Sequence, residues 1–326
     1  MPRPRAWLRR SLLTLACAAS LAAPHQPVSA GTPVPAPEPP VLPAATAATL
    51  EARYGANRAN IAAAADMAAG ADATGRAGTL RAMSARDRTF FAFDARHGTA
   101  VEVVGNLAAA RRVAVLVPGA NTTLDTFGSA DLGTYKHLAG GARVLHEEMR
   151  RQSPDTPVAV VAWLGYRAPA AFSVELLTTD RAERGAPELR RFVGDLERVA
   201  PSARISLLCH SYGSVVCGRA AHGLHAADMV FYASPGTGAD RASELRTEAR
   251  VWAGVGSNDW IAHVPNASVN LLCTTLGLGA DPASATFGAR RFDAGRARHD
   301  NYLRPGSVAL TSMARIATGD TSPGTH

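Results

Sequence analysis

The chain has 326 residues, of which 47% are hydrophobic and 19% charged, with a formal net charge of +7. It is long enough for one large domain or two smaller ones. Its basic residues are scattered, with neither clustering nor aromatic interleaving, which argues against a nucleic-acid partner. All but Lys136 of the 34 basic residues are arginines, as expected of a G+C-rich coding bias.

The N-terminus carries Arg3, Arg5, Arg9 and Arg10 ahead of an apolar stretch from Ser11 to Ala23, with Val28-Ser29-Ala30 as a small-x-small cleavage site. The stretch is too short to span a bilayer, so residues 1–30 are expected to be a secretory signal peptide and the protein to be secreted or held in the cell envelope. Leu15-Ala16-Cys17 leaves open a lipid anchor. Cleavage after Ala30 removes four arginines and no acid, lowering the net charge to +3.

Residues 31–48 are rich in Pro and Ala and are expected to form an extended linker. Residues 50–86 have helical spacing at Leu50, Tyr54, Ile61, Met67, Leu80 and Met83, with a break between Gly70 and Gly78. From Thr89 onward strands alternate with helices, the pattern of a mostly parallel sheet covered on both faces. Strands are expected at 99–104, 113–117, 158–163, 205–208, 229–233, 251–255 and 290–292, and helices at 138–151, 187–199, 214–222 and 242–247. Val113–Val117 and Ile205–Leu208 are apolar enough to be central strands. One domain is expected over 49–318, with a disordered tail at 319–326.

The second of those runs leads directly into Cys209-His210-Ser211-Tyr212-Gly213 and then a small-residue helical segment. A strand, a sharp turn with serine at its apex and a helix make a nucleophile elbow, although Cys209 replaces the first glycine of G-x-S-x-G. An α/β-hydrolase then presents an acid and a histidine, in that order. Asp259 follows the 251–255 strand in a loop at the sheet's carboxyl edge, and His299 lies 40 residues beyond it. The expected triad is therefore Ser211, Asp259 and His299. One oxyanion donor should be the Tyr212 N–H; the other should be Ala120 or Asn121, in the turn after Val113–Val117. His210 abuts the nucleophile, either packing beneath the elbow or touching substrate. Residues 165–184, with Tyr166, Pro169, Phe172, Leu176 and Leu177, are expected to form a small cap, with Tyr166 against substrate.

Four cysteines are present, and cleavage would remove Cys17. Of Cys209, Cys217 and Cys273, the expected disulfide is Cys217 with Cys273, because Cys209 should be buried at the elbow. No C-x-x-C or histidine cluster suggests a metal, and no cofactor is expected.

Several segments together resemble a family of secreted actinobacterial α/β-hydrolases of unknown function. They are Val115-Leu-Val-Pro-Gly119, Trp163-Leu-Gly-Tyr-Arg-Ala-Pro169, His210-Ser-Tyr-Gly-Ser214, Ala233-Ser-Pro-Gly-Thr-Gly238, Gly256-Ser-Asn-Asp259 and His299-Asp-Asn-Tyr302, with Asp281-Pro282 and Phe287-Gly288. The resemblance spans about residues 89–310, and Cys209 departs from the glycine that the family carries. It implies the hydrolase fold and the same triad, and leaves the substrate open. The expected activity is ester hydrolysis on a small-molecule or lipid-like acyl substrate by a monomer, with cell-wall or membrane-surface association possible. The alternatives are an extracellular peptidase or amidase, or a non-catalytic wall-associated binding protein.

Overall fold

Val113, Val115 and Val117 bury into one hydrophobic cluster, while Ala114 and Leu116 bury into another. A strand that alternates in this way between two dry faces must sit in the middle of a sheet with helices on both sides. The computed structural model describes residues 34–128, 135–171, 173–263, 269–271 and 274–320. By its contacts the chain divides into Met1–Val34 and Pro35–His326, and the sheet and its helices belong to the second unit. The expected signal peptide, Phe172, Cys273 and residues 321–326 of the expected tail lie outside the described residues.

Two helices, α1 (Leu50–Gly70) and α2 (Thr74–Met83), precede the sheet. The strands are β1 (Thr89–Asp94), β2 (Thr99–Gly105), β3 (Arg112–Val117), β4 (Val158–Leu164), β5 (Arg204–His210), β6 (Asp228–Tyr232) and β7 (Arg250–Gly254). A hairpin, β8 (Val269–Leu271) and β9 (Thr274–Leu276), stands apart, and β10 (Arg290–Arg291) completes the main sheet. The order is β1-β2-β4-β3-β5-β6-β7-β10. Within the main sheet, β1–β2 and β2–β4 pair antiparallel and the other described ladders are parallel. This is the α/β-hydrolase fold; the strand-helix alternation implied its mostly parallel sheet, and the elbow and the motif resemblance implied its type.

The helices are α3 (Leu124–Phe127), α4 (Leu138–Gln152), α5 (Asp180–Val199), α6 (Gly213–Ala220) and α7 (Val308–Thr318). Buried side chains of α5 and α6 pack with one face of the sheet, and those of α4 and α7 with the other. Helix α5 begins seven residues before Pro187, where the sequence placed its start. Pro187 lies inside the helix on an exposed position, so its ring faces water while Ala182, Gly185 and Ala186 pack inward. The helix expected at 242–247 is a single 3-10 turn, Ala242–Leu245.

Residues 35–46 form neither helix nor strand, yet they lie on the domain. Ala45 is buried, the Arg53 guanidinium donates to the Pro43 carbonyl, and Arg96 Nε donates to the Ala36 carbonyl.

The disulfide joins Cys209 to Cys217, which corrects the expected Cys217–Cys273 pair. Both sulfurs are buried, so burial of Cys209 did not exclude pairing. The turn after β5 folds α6 back alongside the strand, and that brings position 217 over position 209. A loop this short, eight residues in separation, restricts the unfolded chain by about 2–3 kcal/mol. Replacing both cysteines with alanine should lower the unfolding free energy in urea by that amount; an unchanged midpoint would show that the bond contributes nothing.

Candidate active site

Ser211 follows directly on β5 and holds φ at +50°, a left-handed conformation that costs a non-glycine residue about 1–3 kcal/mol. Neighbouring groups enforce it. The Ser211 N–H donates to the Tyr232 carbonyl at 3.1 Å, and the Ser214 hydroxyl donates to the Cys209 carbonyl at 3.0 Å. Two glycines leave room for the turn. A Cβ on Gly213 would lie 2.5 Å from the Val117 carbonyl oxygen, and one on Gly119 would lie 2.7 Å from the Ser211 Cβ. Both are approaches no other residue could make.

The three expected triad residues meet. The Ser211 hydroxyl donates to His299 Nε2 at 3.0 Å, and His299 Nδ1–H donates to Asp259 Oδ1 at 3.0 Å. A carboxylate can only accept here, so it fixes the histidine tautomer and leaves Nε2 free to take a proton. Asp259 is almost wholly buried and receives two further hydrogen bonds, from the Ile261 N–H at 3.0 Å and the Tyr302 hydroxyl at 2.8 Å. Burial works to raise its pKa, but the bonds from His299, Ile261 and Tyr302 outweigh burial and hold the carboxyl below its usual value. Tyr302 in turn accepts from the Gly256 N–H at 2.8 Å. Sequence reasoning quoted Tyr302 in a motif without seeing that it supports the acid.

Of the expected oxyanion donors, Tyr212 stands at the start of α6, whose N-terminus faces the same side as Ser211. Asn121 is corrected: its N–H already donates to the Pro169 carbonyl at 2.9 Å, and its Oδ1 accepts from the Ala171 N–H at 2.7 Å. Asn121, at φ +60°, therefore ties the segment after β4 to the turn after β3. Among the described residues, the N–H groups of Ala120 and Tyr212 donate to no other protein group, so of the two candidates in the turn after β3 it is Ala120 whose N–H is free.

Tyr166 is also corrected. It is buried, stacks on Trp163 with ring centroids 6.0 Å apart, and donates to the Pro118 carbonyl at 2.7 Å. It braces the turn that carries Gly119 and Ala120 from behind and does not line the cavity beside the triad. Tyr212 is anchored likewise, its hydroxyl donating to the Thr178 carbonyl at 2.7 Å. The expected cap is a loop with one 3-10 turn, Val174–Leu177, leading into α5.

His210 borders a cavity of about 250 Å³ beside the triad. Its Nε2–H donates to the His299 backbone carbonyl at 2.8 Å, and its ring lies 5.1 Å from that of His299. Trp260, 57% exposed, lies on the same imidazole at 4.7 Å. Nothing in the sequence pattern marked it.

The alpha/beta hydrolase family model matches residues 94–269, more than half of the chain. The chain belongs to the α/β-hydrolase family. An uncharacterized protein of Mycobacterium tuberculosis is 33% identical over 249 residues, 68% of this chain and 37% of that one. An uncharacterized Mycobacterium bovis protein is 34% identical over 179 residues, 53% of this chain and 65% of that one. The chain thus spans little more than a third of the length of the first relative. Among solved structures, an α/β serine hydrolase without lid from Xanthomonas campestris matches with TM-score 0.42 and 15% identity, over 74% of this chain and 98% of that one. Carboxyl esterase 2 of Tuber melanosporum matches with TM-score 0.39 and 11% identity, over 68% and 81%.

Burial, followed by the neighbouring His299, depresses the His210 pKa to about 4. This α/β-hydrolase therefore keeps His210 neutral, so His299 meets no second positive charge when it is protonated. The depressed pKa stabilises the fold fully above the unfolded histidine value near 6.5. That stability is lost as pH falls from about 6.5 to about 4, by up to about 3 kcal/mol. His146, also depressed by burial, adds to the same window. In a His210→Gln variant, unfolding free energy measured at pH 7 and pH 4.5 should therefore differ by less than in the parent; an equal difference would contradict the assignment.

Proposed function

We propose that the chain is a serine hydrolase acting on carboxylic esters through an acyl-enzyme. The observation that carries this reading is the unbroken chain of hydrogen bonds Ser211–His299–Asp259, at 3.0 and 3.0 Å, starting from a serine held at φ +50°.

In the proposed reaction, the Ser211 hydroxyl attacks the ester carbonyl while His299 Nε2 takes its proton. Asp259 stays ionised and stabilises the resulting imidazolium through Nδ1–H. The oxyanion of the tetrahedral intermediate receives the N–H groups of Ala120 and Tyr212, with the N-terminus of α6 behind them. Collapse breaks the bond to the leaving alcohol, which takes the proton from His299. Water repeats the sequence in reverse and frees the acid and Ser211. No cofactor enters these steps. An ester is favoured over an amide because an alkoxide leaves more readily than an amine. Export follows from the arginine-rich, apolar N-terminus and fits a chain whose elbow carries a disulfide.

Hydrolysis of p-nitrophenyl acetate tests the reading. Ser211→Ala should abolish turnover above background, and Asp259→Asn should lower kcat by about 10³–10⁴-fold, since the amide can hold the wrong imidazole tautomer. Wild-type turnover that survives Ser211→Ala would contradict it. Tyr302→Phe removes a donor to a buried carboxylate and should lower kcat by about 10-fold with little change in KM. A change in KM alone would place Tyr302 on the substrate and not behind Asp259.

A further inference from the structure

Tyrosine hydroxyls surround the site, and three of them are engaged by the protein: Tyr166 with the Pro118 carbonyl, Tyr212 with the Thr178 carbonyl, and Tyr302 with Asp259 and Gly256. Tyr232 differs. It ends β6, its backbone carbonyl holds the Ser211 N–H, and its ring lies 5.1 Å from His210 and 5.4 Å from Tyr302. Only 4% of the residue is exposed, yet among the described residues its hydroxyl has no hydrogen-bond partner. The hydroxyl is not among the side-chain atoms sealed from solvent without a partner, so its free donor must face an accessible space.

The cavity supplies one. Tyr232 lines the same space of about 250 Å³ as Ala120, His210 and His299, so it sits beside both the oxyanion donor and the general base. That volume lies below the usual range for drug-sized ligands and suits a group of a few carbons. At the rim, Lys136 donates to Asp300 at 2.6 Å, so the two opposite charges there satisfy each other. Leu116, Pro118, Leu138 and Leu303 supply the apolar part of the lining, and Thr122, Tyr135 and His137 also border the space. Burial raises the Tyr232 pKa, so its hydroxyl stays protonated and able to donate.

The geometry points to a substrate subsite in which the Tyr232 hydroxyl hydrogen-bonds a neutral polar group, a hydroxyl or carbonyl, on a short chain attached to the reacting ester. This rests on the ester-hydrolase reading and deepens it by assigning a substrate class: short esters with one neutral polar substituent, in preference to long unsubstituted acyl chains. The polar group could reach the cavity from the acyl side or from the alcohol side, and one experiment separates the two.

The probes are two matched pairs. On the acyl side they are p-nitrophenyl butyrate and p-nitrophenyl 3-hydroxybutyrate; on the alcohol side they are butyl acetate and 3-hydroxybutyl acetate. For each pair, the ratio of kcat/KM for the hydroxylated member to that for the plain member is measured in the wild type and in Tyr232→Phe. The wild type should favour the hydroxylated member of one pair, and Tyr232→Phe should lower that ratio by about 3- to 10-fold, the worth of one neutral hydrogen bond. The pair that responds identifies the side. The ratio serves as its own control for folding, because a partly unfolded variant loses both activities together. Ratios equal in wild type and variant for both pairs, from an enzyme that turns over all four esters, would overturn the subsite and leave the ester-hydrolase reading standing. Failure of the wild type to hydrolyse any of the four would overturn that reading and the subsite with it.

Discussion

Everything around this site depends on one backbone conformation, the left-handed turn at Ser211. A serine with φ at +50° is strained by about 1–3 kcal/mol, and the surrounding structure has to hold it there. Gly119 and Gly213 let two stretches of main chain close on the turn to distances that any Cβ would block. The Tyr232 carbonyl holds the Ser211 N–H from the neighbouring strand. The Cys209–Cys217 bond then ties the strand before the turn to the helix after it. This covalent link, eight residues in separation, holds strand and helix together across the turn. The elbow is thus over-determined from both sides.

A second layer of the structure works on polarity. Asp259 is buried, and three donors hold it charged; one of them, Tyr302, is itself fixed by the Gly256 N–H. The imidazole of His299 lies between this fixed charge and Ser211, with a neutral His210 on one side and Trp260 on another. His210 holds the His299 backbone as well, through its Nε2–H. The result is an imidazole with one orientation and one tautomer, whose free nitrogen faces the serine. Tyr166 does the comparable task for the turn after β3 by bonding the Pro118 carbonyl. Such support from behind is what holds a reactive geometry to within a fraction of an ångström.

Much of this was legible in the sequence, because it rests on local pattern. Val113–Val117 and Ile205–Leu208 are apolar on both faces, and only central strands need that. The order of Ser211, Asp259 and His299 follows from the chain passing each strand's carboxyl end in turn. What depended on side-chain direction was not legible. Tyr166 reads equally well as a substrate contact or as a brace, and only its hydroxyl's partner decides. The cysteine pairing turned on how sharply α6 folds back on β5, which spacing alone does not state. Asn121 and Ala120 are neighbours in a turn, and which N–H stays free depends on where Pro169 lies. Helix α7 was not expected from the sequence, although it carries ordinary signals: Ser307 caps its first turn through the Leu310 N–H, and Gly319 ends it at φ +85°. The first seven residues of helix α5 escaped because Pro187 usually marks a start, and here it faces water within the helix.

The central claim is that Ser211 is a nucleophile activated by His299. The most direct measurement is intact-mass and peptide mapping of the protein after exposure to a fluorophosphonate, which reacts with an activated serine and with little else. The account predicts one adduct per chain, located on the peptide containing Ser211 and absent from Ser211→Ala and His299→Ala. An unmodified wild-type protein, or an adduct mapped to any other residue, would contradict it.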